Sequence, residues 1–472
     1  MTVGAIAAVL IVVAAILSML GYRLDSMNGR LEQGALLQFD SQPNGASVFI
    51  DGNDVGSRTP NKQAVIAGTH TISMTKDGYE KWSRTLTLTA GTLTWLDYTR
   101  FVPTHRPVEK IISYPSLSQL VFSPDNKWAL LHETASVPSF QLVDLRSEHV
   151  SSSPLVIPQS VMSEVTTPEV THVFTVVAWD SGGRYVTMKH TYRDQLEWLV
   201  IDTQNVTAST NLTQLFGVGF KDVQFSGTSG KLFYALTTDG TLRKLDVSAA
   251  TMSRTFVTHV TSFQTFDNSI LGYSGTNPAD TTRQVAGLYR DGDESPHIVY
   301  ETPLSDKPLA ITLSRYHSDD VVAIAHGAEV VIYRGSYPTS SNQDSSSLSP
   351  STTFSVDGSV TNLSFSPKGD YLLAQSGLTY KSYEVEHRRL AMGAVVSLDT
   401  TSPSPLRWLD AAHLWDDAQG KLVMRDFDGS NVYSIMSIQP GFDASLSQNG
   451  RFLYGVGKTD SGYHLQRVKM IL

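Results

Sequence analysis

"LVFSPDNKWALL", residues 120–131, reads as a strand, a polar turn and a second strand. Pro124, Asp125 and Asn126 punctuate two apolar runs, which is the pattern of a tight hairpin. The pattern recurs as "VAWDSGGRYVTM" from Val177, "VQFSGTSGKLFYAL" from Val223, "LSFSPKGDYLLAQ" from Leu363 and "ASLSQNGRFLYGV" from Ala444. A third strand follows at each step: "SFQLVDL", "LEWLVIDT", "TLRKLDV", "VAGLYRDG", "EVVIYRG", "TYKSYEVE", "KLVMRDFDG" and "YHLQRVKM". A β unit repeating at tens of residues, with variable loops, predicts a β-propeller of four-stranded blades. Eight third strands predict eight blades over residues 108–472, with seven as the alternative. The last repeat holds only three strands, so "VEKIISY" at 108–114 is expected to supply its outer strand and close the ring. Residues 147–170 and 337–359 read as insertions, the second a low-complexity loop.

Upstream of the repeats, residues 34–103 are β throughout. "ALLQFD" and "ASVFID" alternate with period two, and glycine-rich turns separate them. The pattern predicts a small β-sandwich. Pro43, Gly45 and Ala46 are followed by Val48, Ile50, Asp51 and Gly52. Gly56, Thr59 and Pro60 come next, then Gly68 and His70, then Lys76, Gly78 and Tyr79. In that order these positions resemble the PEGA domain, with Asn44 where that family has a Glu in its first turn. The resemblance implies an extracytoplasmic module, a spacer or a wall- or glycan-associated domain, and no enzyme. The Phe122-Ser123-Pro124 and Phe365-Ser366-Pro367 turns are similar to those of WD40-like and TolB-type propellers, a likeness that speaks to fold and not to activity.

"VGAIAAVLIVVAAILSML", Val3–Leu20, carries no charge. At about 1.5 Å per residue it is long enough for the hydrocarbon core of a bilayer. Residues 1–22 are therefore expected to be an uncleaved transmembrane anchor. Arg23 and Arg30 weakly favour a cytoplasmic side for the C-terminal domains, whereas the domain content favours the outside. Leu20, Leu24, Met27 and Leu31 share one helical face, so residues 23–33 are expected to form a juxtamembrane helix. The expected fold class is all-β with one N-terminal transmembrane helix, a PEGA sandwich and a propeller.

Composition narrows the chemistry. The chain has 472 residues, 36 Lys and Arg against 45 Asp and Glu, and a net charge of −9. Its basic residues are scattered, so no nucleic-acid partner is expected. With no cysteine there is no disulfide framework, thiolate metal site or Cys nucleophile. No Walker loop, Rossmann fingerprint or Gly-x-Ser-x-Gly elbow is present; Gly227-Thr228-Ser229-Gly230 is one residue short. His132 lacks the second His of a zincin helix, and His70 lacks a second ligand at useful spacing. Asp426, Asp428 and Gly429 resemble a calcium loop without its distal Glu; with Asp291 and Asp293 they read as blade turns. No catalytic, cofactor-binding or metal-ligating residue is assigned, and no cofactor.

The expected function is a membrane-anchored binding or scaffold protein of a bacterial cell envelope, its C-terminal domains extracytoplasmic. It would recognise a protein or a cell-wall polysaccharide. The alternatives are a propeller enzyme acting on an extracellular glycan or small ester, and a cytoplasmic-facing membrane assembly scaffold.

Overall fold

The computed structural model describes residues 12–13, 22–24, 31–167, 169–339, 348–395 and 405–472. The chain divides into two compact units, one of strands between residues 22 and 100 and one built from the repeats.

The first unit begins with β1 (Tyr22–Leu24), β2 (Leu31–Gln42), β3 (Ser47–Ile50) and β4 (Asn53–Arg58). It continues with β5 (Asn61–Ile66), β6 (Gly68–Thr75), β7 (Trp82–Leu88) and β8 (Leu93–Arg100). One sheet is ordered β1-β2-β5, with β8 pairing β2 in parallel; the other is ordered β4-β3-β6-β7. Alternation decides their facing sides. Ala35, Leu37 and Phe39 of β2 and Leu96 of β8 meet Val48, Ile72, Met74, Trp82 and Leu86 in one core. Each fully buried large apolar side chain contributes about 1.5–3 kcal/mol relative to exposure.

The turn motifs in this unit have a tertiary purpose. Thr59 is buried, and its hydroxyl accepts from the Ala46 N–H at 3.0 Å while meeting the Ser41 hydroxyl at 2.6 Å. Its carbonyl accepts from the Gly45 N–H at 2.9 Å. The Pro-Asn-Gly-Ala turn and the Thr-Pro pair are therefore two halves of one fastening. Gly45 sits at φ 86°, a conformation open to glycine and strained for a residue with a Cβ.

Among the described residues the second unit contains eight four-stranded antiparallel sheets, seven of them built from consecutive strands. Blades 1 to 7 span residues 119–156, 172–211, 220–252, 260–303, 309–355, 362–394 and 407–437. Blade 8 takes three strands from residues 445–469 and its fourth from β9, Val108–Tyr114. In that closure Ile112 faces Leu465 and Val108 faces Val468. Arg467 donates from Nε and Nη2 to the two carboxylate oxygens of Glu109, at 2.8 and 3.1 Å. The two ends of the repeat region are thus joined by a ladder and a bidentate pair.

Each seam between blades is a separate core. Phe140 meets Phe174 and Leu199; Leu212 and Trp198 meet Phe233; Tyr234 meets Leu271; Ile270 meets Leu313 and Val322. Val321 then meets Leu372, Leu373 meets Leu414, and Tyr454 closes the round on Leu131. Blades 7 and 8 are tied by Gln439 N–H to the Val456 carbonyl at 2.8 Å. Because both faces of a blade are covered, middle strands lose alternation. Tyr371–Ser376 is buried at every position, and Asp319–His326 at six of eight.

Two expectations are corrected. The fold class does not include the expected N-terminal transmembrane helix: among the described residues, no helix is long and apolar enough to cross a membrane. Apart from Val12 and Val13, Val3–Leu20 lies outside the described residues. The described residues of the expected juxtamembrane helix at 23–33 are strand, and residues 25–30 lie outside the described residues. Tyr22, Arg23 and Leu24 pair antiparallel with Gln33, Glu32 and Leu31. Apolar residues at helical spacing are a local signal only, and β2 extends back through Leu31 and supplies a pairing partner. The "insertions" also hold strands: Ser151–Val156 and Ser349–Ser355 are the outermost strands of blades 1 and 5. Their Ser-rich composition follows from exposure at the rim. Residues 340–347 of the second stretch lie outside the described residues.

Candidate binding surfaces

The first strand of each blade has a free edge, since sheet pairing leaves half its backbone groups unpaired. Long amides cover part of this deficit. Gln119 of blade 1 donates to the Val176 carbonyl at 2.8 Å and accepts the Val176 N–H at 2.9 Å. Gln224 of blade 3 does the same to Phe263 and Thr265 of blade 4, both at 2.9 Å. Asn362 of blade 6 donates to Leu406 at 2.8 Å.

Where the first strand ends, Ser or Asp closes the hairpin to the second. Asp180 accepts from the Arg184 and Tyr185 N–H groups at 2.7 and 2.6 Å, and Asp267 from Ser269 and Ile270 at 2.8 and 2.7 Å. Ser123 and Ser447 hydroxyls accept from Trp128 and Phe452, each at 2.9 Å. Asp410 accepts from Ala412 and His413, each at 2.9 Å. These turns share one end of the propeller, because successive first strands run in the same sense.

Two clefts open there. One, of about 420 Å³, lies between blades 2, 3 and 4, with Trp179 and Phe225 beside Asp222, Asp267 and Asn268. The other, of about 440 Å³, lies between blades 4, 5 and 6, with Arg315 and Lys368 beside Ser314 and Ser366. Thr265 and Phe266 form the ridge they share. The clefts differ in sign, one holding carboxylates and the other cations. Arg315 is fixed by Asp320 at 2.6 Å, with its guanidinium 5.4 Å from the Phe266 ring centre. The hydrogen bond that Arg315 donates to Asp320 raises the Arg315 pKa, so its charge is permanent.

The sandwich presents a different surface. On β2 and β8 the outward positions are Leu36, Leu93 and Trp95, with Leu36 opposite Leu93 and Gln38 opposite Trp95. Trp95 is 41% exposed, and Leu36 and Leu93 are each 37% exposed. Gln38 Oε1 is buried and unpartnered. An aromatic and two leucines side by side on a sheet face are an apolar patch of the kind that marks interaction sites.

The residues singled out in the sequence fall elsewhere. His70 bridges a turn: Nδ1 lies 2.6 Å from Asp51 Oδ2, and Nε2 lies 2.8 Å from the Ile66 carbonyl. The His70 contact, with the Thr71 N–H, holds the Asp51 carboxyl below its ordinary range. His132 is buried, with Nε2 on the Val137 carbonyl at 2.7 Å and its ring stacked on Phe140. Asp293 accepts from His297 at 3.2 Å and pairs with Arg290 in the turn after the third strand of blade 4. Asp291 pairs with Lys244. Asp426 and Gly429 share a turn in which the Gly429 N–H donates to the Asp426 carbonyl at 2.9 Å. Ser229 lies exposed in a hairpin turn, where its hydroxyl accepts from the Lys231 N–H at 3.3 Å. The structure does not bring these residues together. Among the described residues no group of three or more His, Cys, Asp or Glu is arranged to hold a metal ion.

Sequence reasoning missed Trp95 and Leu36. The run "LTWLDY" offers Leu93, Trp95, Leu96 and Tyr98, and only the register with β2 decides that Leu96 points inward and Trp95 outward. The Arg315–Lys368 cleft was also hidden, because its lining comes from three blades.

The PEGA domain family matches residues 35–102. No curated protein matches the chain. Among solved structures, the β-propeller domain of Myceliophteria thermophila Cps50 (Swd1) is similar at 10% identity, over 77% of this chain and 99% of that one, with a TM-score of 0.44. An oligogalacturonate lyase in complex with manganese is similar at 11% identity, over 76% and 98%, with a TM-score of 0.42. KlHsv2 with loop 6CD replaced by a Gly-Ser linker is similar at 12% identity, over 75% and 99%, with a TM-score of 0.40. The propeller assignment rests on the strand pairing and seams described above. PEGA and propeller folds together support a binding or scaffold role at a coarse level.

Proposed function

We propose that this chain is a binding and scaffold protein of a cell envelope, with both β units outside the cytoplasm. Its partner is a cell-wall polysaccharide or an envelope protein. The observation that carries the reading is the exposed Leu36–Leu93–Trp95 face of the sandwich. A soluble domain gains nothing from exposing an aromatic among leucines on a sheet face, whereas a partner gains their burial at about 25 cal/mol per Å². The paired clefts of opposite sign on the propeller add a second surface, suited to a partner that carries both charges.

The test is pelleting of the full chain with isolated cell-wall material, for wild type and Trp95→Ala. Pelleting that Trp95→Ala reduces about tenfold or more, with an unchanged thermal midpoint, supports the wall reading. Wild type that stays in the supernatant removes the polysaccharide. Crosslinking at position 95 in intact cells then decides whether a protein takes its place, and protease accessibility of the propeller from outside tests its location.

A further inference from the structure

Four polar side chains lie buried in line beside the seam of blades 1 and 2. His172 Nδ1 is 2.8 Å from His190 Nε2, and His190 Nδ1 is 2.7 Å from Glu197 Oε1. Glu197 Oε2 accepts from Asn211 Nδ2 at 2.6 Å. None of the four is more than 5% exposed. Their far end holds the stretch of chain at 157–164 that crosses the seam. The Ser163 N–H donates to both Glu197 oxygens at 3.3 Å, and Asn211 Nδ2 donates to the Val161 carbonyl and the Ser163 hydroxyl, each at 3.2 Å. Ile157, Val161 and Met162 of this strap are buried in the seam core.

The proton count of the chain is odd. A carboxylate only accepts, so His190 Nδ1 carries a hydrogen. If His190 is neutral, its Nε2 accepts the Nδ1 hydrogen of His172. His172 Nε2 is then a bare lone pair, and it is buried without a partner. A buried unpaired polar atom costs on the order of 1–3 kcal/mol, and a proton would fill this one. The proton would bring charge to a ring stacked between Phe174 and Tyr192, with no acceptor for the new N–H. The charged groups around it are Glu164 on the strap, Arg193 in the next turn, and Glu197 beyond His190. His132 faces from blade 1, already bonded to Val137. The Glu164–Arg193 pair at 3.0 Å is substantially exposed, so it adds little to holding the strap. Glu197 and Asn211 are the main polar fastening, beside the buried Ile157, Val161 and Met162.

We propose that the Glu197–His190–His172 chain is a proton-operated latch on the 157–164 strap, shut while His172 is neutral and loosened when His172 takes a proton and must reach water. The electrostatics agree in direction. Burial, then His190, pull the His172 pKa down. A histidine whose folded pKa is below its unfolded value contributes stability above about pH 6.5 and loses it as pH falls. Burial works against the Glu197 carboxylate, but hydrogen bonds from His190, Ser163 and Asn211 outweigh it and lower its pKa. Its contribution therefore persists to below about pH 4.3. His172 thus acts first as the medium acidifies.

The experiment is amide hydrogen exchange of the full chain at pH 7.4 and 5.5, corrected for the intrinsic pH dependence of exchange. The strap amides of Ile157, Val161, Met162 and Ser163 should exchange at least tenfold faster at pH 5.5, while Val321–Ala325 in blade 5 stay unchanged. In His172→Gln, whose amide can still donate to His190 but does not titrate, the strap should exchange equally at both pH values. In Glu197→Gln it should be loose at both. A strap in wild type that ignores pH, or a His172→Gln strap with the wild-type response, overturns the proposal. Should His172→Gln fail to fold, exchange of the His172 C2 proton in wild type reports its titration, and a strap transition at a different pH overturns the latch.

Discussion

The sandwich and the propeller are both made of four-stranded sheets of short strands, yet they use opposite sequence patterns. Each sandwich sheet has one covered face. Leu37 is buried and Leu36 beside it is exposed, and the alternation is clean enough to read. Each propeller blade has two covered faces. In blades 5 and 6 the second strands are buried over most or all of their length, and polar character is pushed into hairpin ends and outermost strands. One-sided burial makes a surface available on the sheet itself, while two-sided burial moves available surface to the ends of the strands.

The sharpest way to break this contrast is to remove side chains that only two-sided burial explains. Arg425 and Asp416 form a buried pair in blade 7. Arg425→Met should destabilise by about 3–5 kcal/mol, because it leaves a buried carboxylate without its cation. Trp198 is fully buried between blades 2 and 3, with its indole N–H on the Phe220 carbonyl at 3.0 Å. Trp198→Ala should likewise cost about 3–5 kcal/mol in urea denaturation. Fastenings should cost less in both units. Thr59→Val in the sandwich frees the Ala46 N–H, and Asp180→Ala in the propeller frees three N–H groups; about 1–3 kcal/mol is expected for each by thermal unfolding. Trp95→Ala should change stability least, by about 0.5 kcal/mol or less, while changing binding most. A large loss of stability in Trp95→Ala would show that this face is core and end its reading as a surface.

Legibility divides along the same line. The hairpins of blades 1, 2, 3, 6 and 8 are visible in the sequence because Ser or Asp with Gly, Asn or Pro must stand where the first strand turns. Blades 4, 5 and 7 have first strands without so plain a signal: Asp267-Asn268-Ser269 and Asp410-Ala411-Ala412 close their turns, and blade 5 turns at His317 with φ 52°. Their third strands are legible, being long apolar runs that end in turn residues. The outermost strands at Ser151–Val156 and Ser349–Ser355 read as loops, because a strand at the rim has few side chains to bury. The helical spacing misleads at Leu24 and Leu31 for the opposite reason: β2 offers a pairing edge there, and the two residues pair as strand.

The sequence by itself determined the β class, the sandwich turns and the repeat. Each of these depends on neighbours a few residues apart, through alternation, fixed φ at Pro and positive φ at Gly. Only the tertiary structure decided which apolar residues of β8 face outward, how Arg315 and Lys368 of two blades share a cleft, and that His172, His190 and Glu197 form one chain. Each of those outcomes depends on strand register or on which blades meet. A register slip of one residue would turn Trp95 into the core and separate His172 from His190 without changing the amphipathic pattern from which the strands are read.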